Sequence, residues 1–236
     1  SAGKLTVASP FRFHYYFNPV AHSYAAAFWD WNRWEGELDF MAMMGVNLPL
    51  ATTGQEWVWD RLWKERFNLT TAELAEHWPG PAFLAWGRMG NLQGWGGTYP
   101  PAGGGGVAGL THHWMLQQRN LQRKIVARAR SLGMKTVLAG FAGHVPRALE
   151  ARYPSANISR SSPWGSFSAQ YSANSLLEAS DPLFGRIGRA FVEIQTEEFG
   201  TDHIYSADTF NEMAPRSFEA NYIQGWGSSV HNALNN

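Results

Sequence analysis

Short apolar runs separated by stretches of helical periodicity constrain this chain more than any other feature. Residues 11–17, 46–51, 135–140 and 203–208 read as strands, rich in aromatic and β-branched side chains and bounded by turn residues. Between the first two, Trp34, Leu38 and Met41 follow helical spacing, and Gly45 is placed to end that helix. Pro49 weakens the second strand, because proline cannot donate to a ladder. Residues 56–65 and 71–77 read as two short helices, the second opened by Thr70 or Thr71 with Glu73 near its start. Leu121, Ile125, Ala129 and Leu132 mark one face of a helix running from near Trp114 to Gly133. Asp181-Pro182 is an N-cap followed by proline at the first helical position, and Phe184, Ile187, Phe191 and Ile194 carry that helix to Gly200. A further helix is predicted from Asn221 onward. Strands alternating with helices make an α/β fold with a parallel sheet. A TIM-type (β/α)8 barrel has eight such units, so the prediction is that only about the first half of one, four strands, is present.

Composition narrows the function classes. At 236 residues with a formal net charge of zero, the chain offers no basic surface for nucleic acid or an anionic membrane. No apolar run approaches the roughly 18 residues of a membrane span, and residues 1–6 show no signal peptide. The absence of cysteine excludes disulfides and thiolate metal sites. His112-His113 does not make a metal site, since adjacent imidazoles cannot easily share one ion and no third ligand has suitable spacing. No cofactor is expected. The aromatic content is high, with 12 Trp, 8 Tyr and 14 Phe. Most of these rings belong to a core, but exposed aromatic faces are also the platforms on which the C–H faces of sugars pack.

Residues 207–216, Ala-Asp-Thr-Phe-Asn-Glu-Met-Ala-Pro-Arg, place Asn211 and Glu212 just beyond the fourth strand. In a (β/α)8 barrel the C-terminal ends of the strands form the active site. An Asn-Glu pair there is the usual setting for the general acid of a retaining glycoside hydrolase. Retaining hydrolysis needs one carboxyl group to protonate the leaving oxygen and a second to attack the anomeric carbon.

Several long segments carry a resemblance: residues 28–35 (Phe-Trp-Asp-Trp-Asn-Arg-Trp-Glu), Gly54-Gln-Glu56, residues 80–92 (Gly-Pro-Ala-Phe-Leu-Ala-Trp-Gly-Arg-Met-Gly-Asn-Leu), residues 141–146 and residues 200–213. Over residues 15–215 the sequence resembles the α-N-acetylglucosaminidase family of glycoside hydrolases, which includes the lysosomal enzyme of heparan sulfate breakdown and its plant and bacterial relatives. The resemblance implies a (β/α)8 catalytic domain that removes terminal α-linked N-acetylglucosamine with retention, using two carboxylates and no metal. It assigns Glu212 as general acid/base and Asn211 as its neighbour in the sugar subsite. It also puts Asn18, His144 and Trp95 in matching segments, as sugar-pocket residues. It implies lysosomal or secreted localisation.

Residues 1–236 then read as the N-terminal half of a glycosidase barrel, with a Gly-rich loop insertion at 102–109. The nucleophile of the family lies farther downstream, so the remainder of the barrel is the expected partner, beside the glycan itself. Glu35, Glu37, Glu56 and Asp208 are local carboxylates, but none matches the nucleophile motif. Glu56, near the end of the second strand, could face the pocket and is at least as readable as a surface or helix-capping acid, and Asp208 reads as a brace of the strand end. Trp95 could face the sugar or anchor its glycine-rich loop. Val20 stands where many family members have a cysteine beside the sugar, which puts one subsite contact in doubt. The competing reading is a non-catalytic sugar-binding fragment.

Overall fold

The computed structural model describes residues 8–94 and 110–235. Trp95 and the Gly-rich segment 102–109 lie outside the described residues. In chain order the elements are β1 (Tyr15–Tyr16), α1 (Pro19–Tyr24), α2 (Trp31–Met43), β2 (Leu48–Pro49), α3 (Gln55–Arg61), α4 (Thr71–Ala75), α5 (Leu84–Arg88) and α6 (His112–Ser131). There follow β3 (Leu138–Ala139), β4 (His144–Val145), α7 (Ala148–Arg152), β5 (Ile158–Arg160), α8 (Ala169–Ser172), β6 (Ser175–Leu177), α9 (Pro182–Phe199), β7 (Tyr205–Ser206) and α10 (Ala220–Leu234).

Parallel pairing runs through all four apolar runs of the sequence. β1 pairs with β2, a bridge joins Leu50 to Val137, and β3 pairs with β7. The ladder bonds include Leu50 N to Tyr16 O at 3.0 Å, Val137 N to Pro49 O at 2.9 Å and Gly140 N to Ser206 O at 2.8 Å. Pro49 is tolerated because its carbonyl still accepts from Val137, while the N–H groups of Leu48 and Leu50 donate to His14 O and Tyr16 O. The spatial order is therefore β1, β2, β3, β7, and among the described residues no closed barrel is formed. The first strand is much shorter than the predicted 11–17, with Phe11 and Phe13 left exposed.

A second sheet was not legible in the sequence. β4, β6 and β5 form an antiparallel sheet of three strands in that order. Its strands are two or three residues long and include Ser159, Arg160 and Ser175, so no period-2 pattern marks them.

Helix boundaries follow local chemistry. Thr70 and Glu73 form a full capping box on α4. Asp181 caps α9 by accepting from Leu183 N at 2.8 Å, and Gly200 ends that helix at φ 69°. The predicted helix 56–65 is α3 followed by a π-helical turn, Leu62–Arg66.

The core lies between the parallel strands and the helices. Trp34, Trp63, Phe141, Phe184 and Phe191 are fully buried there, and Trp59 stacks on Phe191 at 3.8 Å between centroids. Glu198 of α9 ties three helices together by accepting from Trp57 and Arg61 of α3 and from Arg119 and Arg123 of α6. A separate small cluster, Leu48, Leu50 and Val137 with Phe17 and Ile204, gathers residues in or next to the parallel strands.

Candidate active site

The loop after β7 brings the acidic motif into view. Glu212 adopts φ 51°, a left-handed conformation that a residue with a side chain reaches only when its surroundings hold it. Two contacts do so. The indole N–H of Trp164 donates to Glu212 Oε2 at 2.9 Å. One residue earlier, Asn211 exchanges two hydrogen bonds with Asn91: Asn91 Nδ2 donates to the Asn211 carbonyl oxygen at 2.8 Å, and Asn211 Nδ2 donates to Asn91 Oδ1 at 3.0 Å. Asn91 is completely buried, whereas Glu212 is exposed to solvent.

Aromatic rings surround the carboxylate's partner. Trp164 packs on Trp86 at 4.6 Å and stacks on Phe167 at 5.7 Å between centroids. Trp86 in turn lies against Tyr24 at the end of α1, and its N–H donates to the Tyr24 hydroxyl. The result is an apolar wall with one polar handle aimed at Glu212, the arrangement that suits a sugar ring beside an acid.

A cavity opens at the C-terminal ends of the parallel strands. Leu50, Ala139, Gly140, Ser206 and Asp208 from the strand ends line it together with Arg88. Partial desolvation raises the Asp208 carboxyl above its usual range, against the opposing hydrogen bond from the Phe210 backbone. Arg88 forks onto buried Glu56 at 2.7 and 2.9 Å and reaches Ser23 Oγ at 3.2 Å. Of the readings of Glu56, the surface acid is excluded, since it is 4 % exposed and paired with Arg88, while it does stand in the first turn of α3. His22 is buried beneath this pair, and burial first, then the Arg88 charge, pulls its pKa down to about 3.

His144 sits on β4 and lines a second, aromatic cavity with Trp59, Trp63, Trp78 and His77, which shares Arg88 and Gly140 with the first. Burial lowers its pKa to about 4, so the ring is neutral near neutral pH, and its Nε2 atom is buried without a partner. The ring rests on Gly90, where a Cβ would fall 2.2 Å from it. Gly90 (φ 79°) precedes Asn91, and its carbonyl accepts from Asn174 Nδ2 at 2.6 Å.

Of the residues singled out from sequence, Asn211 and His144 thus meet the same Gly90-Asn91 turn from two directions. Glu212 is reached through Trp164. Asn18, exposed, caps α1 by accepting from Ala21 N at 2.8 Å and stands next to Pro19 of the strand-end cavity. Val20 is exposed on the same helix. Trp95 lies outside the described residues, though Gln93 and Gly94 before it are anchored to Tyr171 O and His77 O. Sequence reasoning passed over Trp164, Trp86, Tyr24 and Arg88. Only Trp164, between Pro163 and Gly165 in a turn-rich stretch, carried any local sign of a presented aromatic. Among the described residues no cluster of side chains could hold a metal ion, and no helix is long and apolar enough to cross a membrane.

Comparison with known proteins adds the family. The model of the alpha-N-acetylglucosaminidase (NAGLU) tim-barrel domain matches residues 14–236. Alpha-N-acetylglucosaminidase of Homo sapiens is 46 % identical over 232 residues, which are 98 % of this chain and 30 % of the human protein. A family 89 glycoside hydrolase from Clostridium perfringens, solved with 2-acetamido-1,2-dideoxynojirmycin, superposes with TM-score 0.82 at 31 % identity, covering 95 % of this chain and 24 % of that one. A variant of the same bacterium's enzyme with two glutamate-to-glutamine substitutions, solved with its substrate GlcNAc-alpha-1,4-galactose, gives TM-score 0.81 at 30 % identity over the same shares. The chain therefore spans less than a third of the relatives it matches.

Proposed function

The chain belongs to the alpha-N-acetylglucosaminidase family of glycosidases, and on that premise we propose that it forms the first half of a retaining barrel acting on terminal α-linked N-acetylglucosamine. Glu212 is the general acid/base. It protonates the leaving oxygen in the first step and takes a proton from water in the second. A carboxylate from the remainder of the barrel is the nucleophile. Asn211, His144, Asn18 and Trp95 line the sugar pocket, joined by Trp164 as the group that orients the acid. The single observation carrying this reading is the Asn211-Glu212 turn after β7, held by Trp164 on one side and Asn91 on the other.

The half-barrel part rests on the parallel array. Its own cluster of Leu48, Leu50 and Val137 is small, and Tyr15 beside Leu48 remains 50 % exposed. An unpaired β1 edge with an exposed tyrosine of this kind calls for further strands. The substrate reading gains support from the bacterial relative solved with its substrate GlcNAc-alpha-1,4-galactose. A lysosomal or secreted setting follows the family.

The test is hydrolysis of an aryl α-N-acetylglucosaminide with residues 14–236 exchanged for the matching stretch of the human relative. Glu212→Ala should lower turnover by roughly 10²–10⁴, and azide should restore it with the α-glycosyl azide as product. Unchanged turnover in Glu212→Ala would overturn the acid assignment, and a β-azide product would overturn the reading of Glu212 as acid/base of a retaining enzyme, since azide would then be attacking from the nucleophile's face. The chain on its own should not turn over; if it does, a nucleophile lies within these residues and the half-barrel reading fails.

A further inference from the structure

Asn91 is completely buried, 120 residues from Asn211, and its side chain meets the candidate site at Asn211. Its place is rigid: its backbone N–H donates to Trp86 O at 2.8 Å, and the preceding Gly90 carbonyl is held by Asn174. The chemistry of the pair leaves a single orientation for both carboxamides. A backbone carbonyl can only accept, so Asn91 must turn its NH2 group toward Asn211 O. Asn91 Oδ1 then faces the Asn211 side chain, and only the NH2 group of Asn211 can satisfy it. Asn211 Oδ1 is thereby directed away from Asn91.

We propose that Asn91 is a positioning residue, which locks the Asn211 carboxamide so that its oxygen is the atom offered to the sugar, and that this fixed acceptor selects an amide N–H on the sugar. The inference rests on the sugar-pocket role of Asn211 argued above. An amide N–H can only donate, so it is matched by a fixed oxygen and opposed by a flipped NH2. A hydroxyl at the same carbon can donate or accept, and tolerates either. Freeing Asn211 to flip therefore penalises a 2-acetamido sugar more than a 2-hydroxy sugar. The same lock grips the backbone carbonyl immediately before Glu212, so it also steadies the left-handed turn that presents the acid.

Asn91→Asp tests this in the exchanged enzyme with aryl α-N-acetylglucosaminide and aryl α-glucoside. The ionised carboxylate opposes Asn211 O, while the protonated form restores both hydrogen bonds, because its O–H donates and its C=O accepts. Burial raises that carboxyl's pKa, which brings the restored form within reach of mildly acidic pH. At neutral pH kcat/KM for the 2-acetamido substrate should fall about a hundredfold, the scale of a small misplacement at a site. The loss on the 2-hydroxy substrate should be at least about tenfold smaller, since it keeps a usable partner. The deficit should shrink as pH is lowered. Parallel losses on both substrates at every pH would mean a merely structural role and would overturn the proposal. If Asn91→Asp does not fold, Asn91→Ser provides the comparison of the two substrates without its pH arm. Independently, side-chain amide hydrogen exchange in the unaltered chain should be slowed at Asn91 and Asn211; exchange as fast as an exposed asparagine would sink the lock whatever the activity. Glu212→Gln separates the two readings. If that variant is inactive while Asn91→Asp affects both substrates equally, the lock alone has failed. If it retains full turnover, the acid assignment has failed, and the site reading beneath the lock with it.

Discussion

Trp164 and Glu212 lie 48 residues apart, and the indole N–H of one donates to the carboxylate of the other at 2.9 Å. Hydrogen bonds to charged groups contribute about 1.5–3 kcal/mol. Trp164→Phe removes the donor but keeps a ring to pack on Trp86 and Phe167. The exchanged enzyme carrying it should lose roughly tenfold to a hundredfold in kcat/KM, with stability changed by less than about 1 kcal/mol. Steady-state kinetics beside a urea melt measures both, and an unaltered kcat/KM would remove Trp164 from the acid's environment.

Gly90 is needed for two reasons at once. Its φ of 79° disfavours any side chain, and a Cβ would lie 2.2 Å from the His144 ring. Gly90→Ala should therefore cost about 2–4 kcal/mol from strain and overpacking together. It should also displace His144 and disturb the Asn91–Asn211 pair that follows. Equilibrium denaturation gives the first effect; a loss below about 0.5 kcal/mol, the range of an ordinary surface change, would contradict the geometry.

Glu56 and Arg88 form a bidentate pair whose side chains are 5 % and 7 % exposed. Glu56→Gln leaves a buried guanidinium without its counter-charge, which typically costs about 3–5 kcal/mol. The double variant Glu56→Gln, Arg88→Met should recover part of that loss, because it removes the orphaned charge. A single variant more stable than the double would show that the pair is not the buried unit described here.

His77 and His144 titrate at about 4 and His22 at about 3, in each case mainly through burial. Their unfolded value is near 6.5, so below that pH the unfolded chain binds protons that the folded chain does not. Stability is then full above about pH 6.5 and falls as pH drops toward 4, by up to about 1.4 kcal/mol per unit for each histidine. Urea melts at pH 7, 6 and 5 should trace that decline, and His77→Phe should make it shallower. A stability independent of pH across this interval would mean that these rings are protonated in the folded chain.

Much of the fold was legible because it rests on local rules. The four parallel runs, the stop of α2 at Gly45, the Thr70–Glu73 box and the Asp181-Pro182 start are each written in a few adjacent residues. Asn211 and Glu212 were legible too, as a motif just past a strand. The antiparallel sheet of β4, β6 and β5 was not, because strands of two or three residues have no periodicity to detect.

By itself, the sequence determined the α/β alternation, the family and the acidic motif, since each depends on residue type and spacing along one segment. The tertiary structure alone decided what the motif touches. Asn91 and Trp164 converge on it from separate segments, His144 packs on the Gly90 that precedes Asn91, and Glu56 changes from an ambiguous acid into half of a buried pair only when Arg88 arrives. Hydrogen bonding and desolvation act through space at about 3 Å, and no spacing along a chain specifies which distant groups will be brought that close.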